Sequence, residues 1–189
     1  EATGASSDKG KVVSLTFDDG PDPQYTPRVL DILKQKRVPA TFFVVGVNAV
    51  GHPDLLRREY QEGHLIGNHS YSHPNIATIG EDATALQLSA TQRFIEYATG
   101  RSTTLFRPPY NADSEPQTPA EITPILRAQK MHYITIGERI DPQDWRKGVT
   151  AADIVDEVMN EAQSGHLILL HDAGGDRTPT LEALPQVID

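Results

Sequence analysis

Two adjacent carboxylates, Asp18 and Asp19, lie between a short apolar run and a Gly20-Pro21 break. The run Val12–Phe17 reads as a buried strand, so the pair sits where a strand meets a loop. Neighbouring side chains on an extended backbone point to opposite sides, which suits one carboxylate to a metal and the other to proton transfer. A solvated Asp-Asp-Gly turn accounts for the same residues, because Asp and Gly are ordinary turn formers. A second cluster, His69-Ser70-Tyr71-Ser72-His73, has a His-x-x-x-His spacing. On one helical turn the two imidazoles share a face and come close enough to share a metal. Pro74 follows at once, so a single turn is expected rather than a long helix. With Asp19 as a third ligand, two histidines and one carboxylate leave positions open for water and substrate. Zinc, iron and cobalt all suit those donors.

Arg107-Pro108-Pro109-Tyr110 adds a fixed cation and a stiffened backbone. The functional reading pairs Arg107 with Asp18, orienting that carboxylate and tuning its basicity; the plain alternative is a surface arginine before a proline turn. The Tyr110 N–H is the first backbone donor after two prolines and is placed to meet a developing oxyanion. His171 ends an apolar run and is a candidate general acid, held protonated by Asp144; a satisfied core histidine is the alternative. Trp145 and Leu169 are candidates to line a small apolar pocket. His52, His64, His132 and His166 have no comparable setting and read as structural or surface residues.

Elements must bring these residues together. Strands are expected at Val12–Phe17, Ala40–Val45, Leu65–Gly67, Thr104–Phe106, Tyr133–Ile136 and Leu167–Leu170. Helical patterns lie between them at Thr26–Lys36, Pro53–Glu62, Asp82–Thr99, Pro119–Gln129 and Ala151–Gln163. This alternation predicts an α/β fold with a parallel sheet, open or closed into a barrel. Six or seven units in 189 residues require short helices or an incomplete barrel. Asp18, Asp19, His69, Arg107, Asp141, Asp144, Trp145 and His171 fall at or soon after the C-terminal end of an expected strand, the edge where parallel α/β folds build their sites.

Composition is consistent with one globular domain: 38% hydrophobic and 23% charged residues, with no apolar run long enough for a membrane helix. A formal net charge of −9 argues against a nucleic-acid partner. The absence of cysteine excludes disulfides and thiolate chemistry. Residues 1–10 are small and polar and read as a flexible linker, leaving 11–189 as the single domain.

Thr16-Phe17-Asp18-Asp19-Gly20, His69-Ser70-x-x-His73, Arg107-Pro108-Pro109-Tyr110, Asp141-x-x-Asp144-Trp145 and Leu169-Leu170-His171 together resemble the five ordered motifs of the NodB-homology polysaccharide deacetylases, carbohydrate esterase family four. The resemblance runs from about Val12 past His171. It implies a distorted, incomplete (β/α) barrel and a catalytic domain that removes N-acetyl groups from N-acetylglucosamine-containing polysaccharide. It also implies a divalent metal, usually zinc with cobalt, nickel or iron as alternatives, on Asp19, His69 and His73. Asp18 would be the base and His171 the acid, tuned by Arg107 and Asp144. Trp145 and Leu169 would line the acetyl pocket, and the Tyr110 N–H would stabilise the oxyanion. An acetylated amino-sugar polymer would be the partner, at the cell envelope or outside the cell, with this domain part of a longer multidomain protein. Asn111-Ala112-Asp113-Ser114-Glu115-Pro116 departs from the glycine that often continues the third motif, which bears on the accepted sugar. Two rival readings are an acetyl xylan esterase with the same metal site and a catalytically inactive carbohydrate-binding domain. A phosphatase with an aspartate nucleophile would need no paired histidines.

Overall fold

A computed structural model of the chain describes residues 12–110, 115–163 and 165–189. In chain order the elements are β1 (Ser14–Asp18), α1 (Thr26–Lys36), β2 (Thr41–Val44), α2 (Gly46–Gly51), α3 (Pro53–Gln61), β3 (Leu65–Asn68) and α4 (Glu81–Thr99). There follow β4 (Leu105–Phe106), α5 (Pro119–Lys130), β5 (Ile134–Thr135), α6 (Ala151–Glu161), β6 (Leu167–His171) and α7 (Thr178–Ile188). The strands form one sheet in the order β5-β4-β3-β2-β1-β6, and each neighbouring pair is parallel. The sheet curls into a half-barrel. After β5 the chain crosses toward β6, where Ile140 bridges Ile168 and the Leu169 N–H donates to the Ile140 carbonyl at 2.9 Å. A short segment, rather than a strand, spans the remaining gap. This is the incomplete (β/α) barrel expected.

The central strands are buried because they are covered on both faces. Phe17 and Phe42 stack at 5.2 Å between β1 and β2, inside a core that also takes Leu30, Leu33, Ile154, Ile168 and Leu184. A second cluster, Ile76, Leu88, Phe106, Ala128 and Tyr133, fills the β4–β5 end. Helices α5 and α6 both begin with a capping box, Thr118 with Glu121 and Thr150 with Asp153.

Two helices had no counterpart among the expected elements. Helix α2 is only six residues between glycines, too short to show a periodic stripe. Helix α7 carries Pro179 in its first turn and Pro185 inside it, which reads as a break in sequence. The first-turn proline removes an N–H that would be orphaned anyway. Burial of Leu181, Ala183 and Leu184 outweighs the bond lost at Pro185.

Candidate active site

Asp18 is the last residue of β1 and is buried. Its Cα partner on the neighbouring strand β6 is His171, so the two candidates for base and acid are side by side in register. Arg107, just past β4, is fully buried and donates from Nη1 to Asp18 Oδ1 at 2.8 Å and to Thr16 Oγ1 at 2.7 Å. Its remaining donors reach the carbonyls of Ile136 at 3.2 Å and Gly137 at 3.3 Å. The guanidinium carbon lies 4.4 Å from the Phe43 ring centroid. The expected Arg107–Asp18 pair is therefore formed, and the surface-arginine alternative is not.

Strand alternation does not separate the two aspartates. Asp19 has a φ of 76°, a left-handed kink immediately after the strand. This turns both carboxylates toward one imidazole: His69 Nε2 lies 3.7 Å from Asp18 Oδ2 and 3.6 Å from Asp19 Oδ1. The histidine pair does not sit on a helical turn either. His69 follows β3, and the segment to His73 is an irregular bend with positive φ at Ser70 (67°) and His73 (56°). The chain there is held from outside. Gly46 and Val47 N–H groups at the start of α2 donate to the Ser70 and Tyr71 carbonyls at 2.9 Å, and Gln87 Oε1 accepts from Tyr71 and Ser72. Gly46 is required for that approach, since a Cβ there would lie 2.4 Å from the Tyr71 ring. Proline at 74 and tertiary hydrogen bonds together replace the helical turn.

The bend still delivers both rings. His73 Nε2 lies 3.1 Å from Asp19 Oδ1, and the two imidazole centroids are 5.0 Å apart. His69 Nδ1 faces the Arg107 carbonyl at 2.7 Å, which leaves Nε2 as the free donor atom. One ligand atom from each of Asp19, His69 and His73 lies within 4.8 Å of the others. Asp19 Oδ1 is buried and, among the described residues, accepts no hydrogen bond of proper geometry, despite the approach of both rings. Burial pushes the Asp19 carboxyl up, but His73, His69 and His171 outweigh it and bring it down to about 2. Burial lowers His69 and favours the neutral imidazole. An ionised carboxylate, a neutral ring and an orphaned buried oxygen fit a divalent cation.

His171 Nδ1 lies 2.6 Å from Asp144 Oδ1, and its backbone N–H donates to Asp144 Oδ2 at 2.9 Å. Burial opposes protonation of His171, but the Asp144 hydrogen bond and charge, with Asp18 and Asp19, raise it to about 9. A cleft of about 630 Å³ joins both halves of the site; Trp145 and Leu169 line it together with His171. Trp145 is half exposed, whereas Leu169 is buried. The Tyr110 ring packs edge-on to His73 at 4.7 Å, and among the described residues its N–H has no hydrogen-bond partner. Residues 111–114 of the variable loop lie outside the described residues, as do residues 1–11.

Sequence reasoning missed Thr16, which accepts from Arg107 and donates to the Ile168 carbonyl at 2.7 Å. It missed Arg177 and Thr180, both bonded to Asp144, and Glu138, which lines the cleft. No spacing marks these residues. Only Asp172, directly after His171, carried a local signal; it is fully buried and bonds Thr26.

Residues 5–120 match the family described as polysaccharide deacetylase. A peptidoglycan-N-acetylglucosamine deacetylase of Bacillus cereus is 39% identical over 177 residues, 93% of this chain and 62% of the relative. The Bacillus subtilis peptidoglycan-N-acetylmuramic acid deacetylase PdaC is 41% identical over 162 residues, 86% of this chain and 32% of the relative. A chitooligosaccharide deacetylase of Sinorhizobium fredii is 40% identical over 172 residues, covering 90% and 74%. The chain thus spans less than two thirds of the length of the first two. Among solved structures, a peptidoglycan N-acetylglucosamine deacetylase in complex with 4-naphthalen-1-yl-N-oxidanyl-benzamide aligns with a TM-score of 0.83 at 38% identity, over 93% of this chain and 79% of that one. A Bacillus anthracis protein described as a CE4 family pseudoenzyme aligns at 0.81 and 30%, over 95% and 60%. With a family match over more than half its residues and relatives at this identity, the chain belongs to the polysaccharide deacetylase family.

Proposed function

We propose that this domain is a metal-dependent hydrolase that removes N-acetyl groups from N-acetylglucosamine-containing polysaccharide or oligosaccharide, releasing acetate. The observation that carries the reading is the register pairing of Asp18 with His171, with Asp19 and the two histidines in the same cleft. A base and a protonated acid on neighbouring strands, lining one cleft, are the two groups that the proton transfers of amide hydrolysis need.

Asp19, His69 and His73 would hold the divalent ion, zinc first, with cobalt, nickel or iron as alternatives. When bound, such an ion supplies Lewis acidity, polarising the acetamide carbonyl and acidifying a water. Asp18, oriented by Arg107, takes the proton of the attacking water. The Tyr110 N–H is the backbone donor offered to the oxyanion. Trp145 and Leu169 enclose the acetyl methyl. His171, kept cationic by Asp144, gives its proton to the departing amine nitrogen, and acetate leaves. The domain works at the cell envelope or outside the cell, where such polymers lie; the names of the peptidoglycan and chitooligosaccharide relatives support this.

Acetate release from chitooligosaccharides, peptidoglycan and acetylated xylan by metal-loaded protein tests the reading. Release from the amino-sugar polymers is expected. Activity confined to xylan would make the domain an acetyl xylan esterase. Saturable glycan binding with no acetate from any substrate would leave a carbohydrate-binding domain.

A further inference from the structure

The geometry points to Arg177 as a positioning residue: with Thr180 it holds Asp144, and through Asp144 it holds His171, in the proton-donating arrangement. The inference rests on the acid role proposed for His171, but its observations are separate. Arg177 is only 3% exposed, and among the described residues no carboxylate lies within ion-pair distance of it. Its donors go instead to three backbone carbonyls. Nε donates to Ala173 at 2.7 Å, Nη1 to Asp144 at 2.8 Å and Nη2 to Gly174 at 3.0 Å. A guanidinium cannot shed its charge, so burying one without a direct ion pair requires that its donors be satisfied in a fixed fork. Here the fork joins two loops, the one following β6 and the one that carries Asp144.

Asp144 is consequently held at both ends. Its main-chain oxygen is on Arg177, and its Oδ2 accepts from the His171 N–H at 2.9 Å and from Thr180 Oγ1 at 2.7 Å. Oδ1 alone remains for the His171 ring, at Nδ1. With Nδ1–H donated to that oxygen, Nε2 is the nitrogen left for the cleft. The same arginine also connects the acid to the metal-ligand side. Gly174, whose carbonyl it holds, has a φ of 78°, and a Cβ there would lie 2.7 Å from Asp19 Oδ2. The loop can approach Asp19 this closely only as glycine.

A bare-charge role predicts the opposite electrostatic effect. A cation beside His171 disfavours the imidazolium, so its removal would make His171 a weaker acid. Loss of positioning loosens Asp144 from the ring and makes His171 a stronger acid. Four variants separate these: Arg177→Met, Arg177→Lys, Thr180→Val and Thr180→Ser. The readouts are thermal melting, kcat and KM for acetate release, and the His171 ring titration followed by NMR in metal-free protein. For both Arg177 variants, kcat is expected to fall roughly 10–100-fold with KM within about threefold, as for loss of groups that orient site ligands. The His171 titration moves toward the ordinary histidine value by about one unit or more. Thr180→Val moves it the same way by less, and Thr180→Ser, which keeps the hydroxyl, restores it. An unchanged or raised His171 titration in the Arg177 variants would overturn the proposal, as would Arg177→Lys behaving as wild type. If the Arg177 variants do not fold, the Thr180 pair decides, and equal titration in Val and Ser overturns it. Absence of acetate release by wild type would sink the proposed reaction, while the titration still tests the positioning role.

Discussion

The two halves of the site handle charge in contrasting ways. In the base half, a buried arginine meets a buried carboxylate directly, and both residues sit at strand ends. Asp18 closes β1, Arg107 follows β4, and 89 residues of sequence separate them. In the acid half the charged contact is between Asp144 and His171, and the nearby arginine touches only carbonyls. Here just His171 belongs to the sheet; Asp144, Arg177 and Thr180 come from loops and the start of α7. The Asp18 carboxylate meets one cation placed by sheet register. His171 meets a carboxylate, and that carboxylate, lying on a loop, is held by further hydrogen bonds from Arg177 and Thr180.

The largest expected effect lies in the base half. Asp18→Asn keeps the shape but removes the proton acceptor, so acetate release should fall by about 10³-fold, within the usual range for a general base. Metal content, measured on the same protein, should stay near wild type. Full turnover in this variant would remove Asp18 from the role. Next is the ligand set common to both halves: His73→Ala should weaken zinc binding by at least about 100-fold in chelator competition, because outer groups alone cost 10–100-fold. Wild-type affinity would mean that the ion sits elsewhere.

Asp144→Asn tests the acid half. His171, raised to about 9 in the metal-free fold, keeps its proton above the ordinary histidine value, and wild-type activity should decline on the alkaline side as that proton is lost. The raised value also means that the His171–Asp144 pair stabilises the fold fully below the ordinary histidine value of about 6.5. That contribution is lost as pH rises through about 9. In Asp144→Asn the alkaline limb should move down toward 6.5, with roughly a 10–100-fold loss at pH 8. A limb that stays at its wild-type position in Asp144→Asn would detach it from His171.

The smallest effect concerns a buried carboxyl that does not line the cleft but reaches the site through Asp172, next to His171. Glu59 on α3 is fully buried, and among the described residues neither carboxyl oxygen has a hydrogen-bond partner. Burial pushes Glu59 well up, with the charge of Asp172 adding to it. Asp172 is itself raised to about 7, chiefly by burial. For an acid raised on folding, the folded state holds more protons than the unfolded, so stability falls as pH climbs from about 4.5. Glu59→Leu should therefore stabilise the fold by about 1–3 kcal/mol at pH 7 in urea unfolding, and by less at pH 4. Acetate release should change by no more than about threefold, since Glu59 does not line the cleft and meets the site only through Asp172.

Much of the fold was legible. Helix α1 lies at its expected bounds, and most other elements shift by one or two residues, because apolar runs and proline or glycine breaks are local signals. The site was legible as a set of residue types at strand ends, but its geometry was reached by other means than the spacing implied. His69 and His73 meet through an externally braced bend rather than a helical turn. Asp18 and Asp19 converge through a positive φ rather than diverge along a strand. Backbone strain of this kind depends on what the surrounding chain can hold, and no window of sequence reports that.

Strand order of residue types, the C-terminal edge they share and the ligand donors available were written in the chain, since each depends on neighbours a few residues away. Which carboxylate meets the arginine and which nitrogen of His171 faces the cleft follow from pairings 89 and 27 residues apart. Those pairings exist because parallel register aligns Asp18 with His171 and brings β4 and the β6–α7 loop to the same edge. Register is a property of the assembled sheet, decided by the burial of many side chains together.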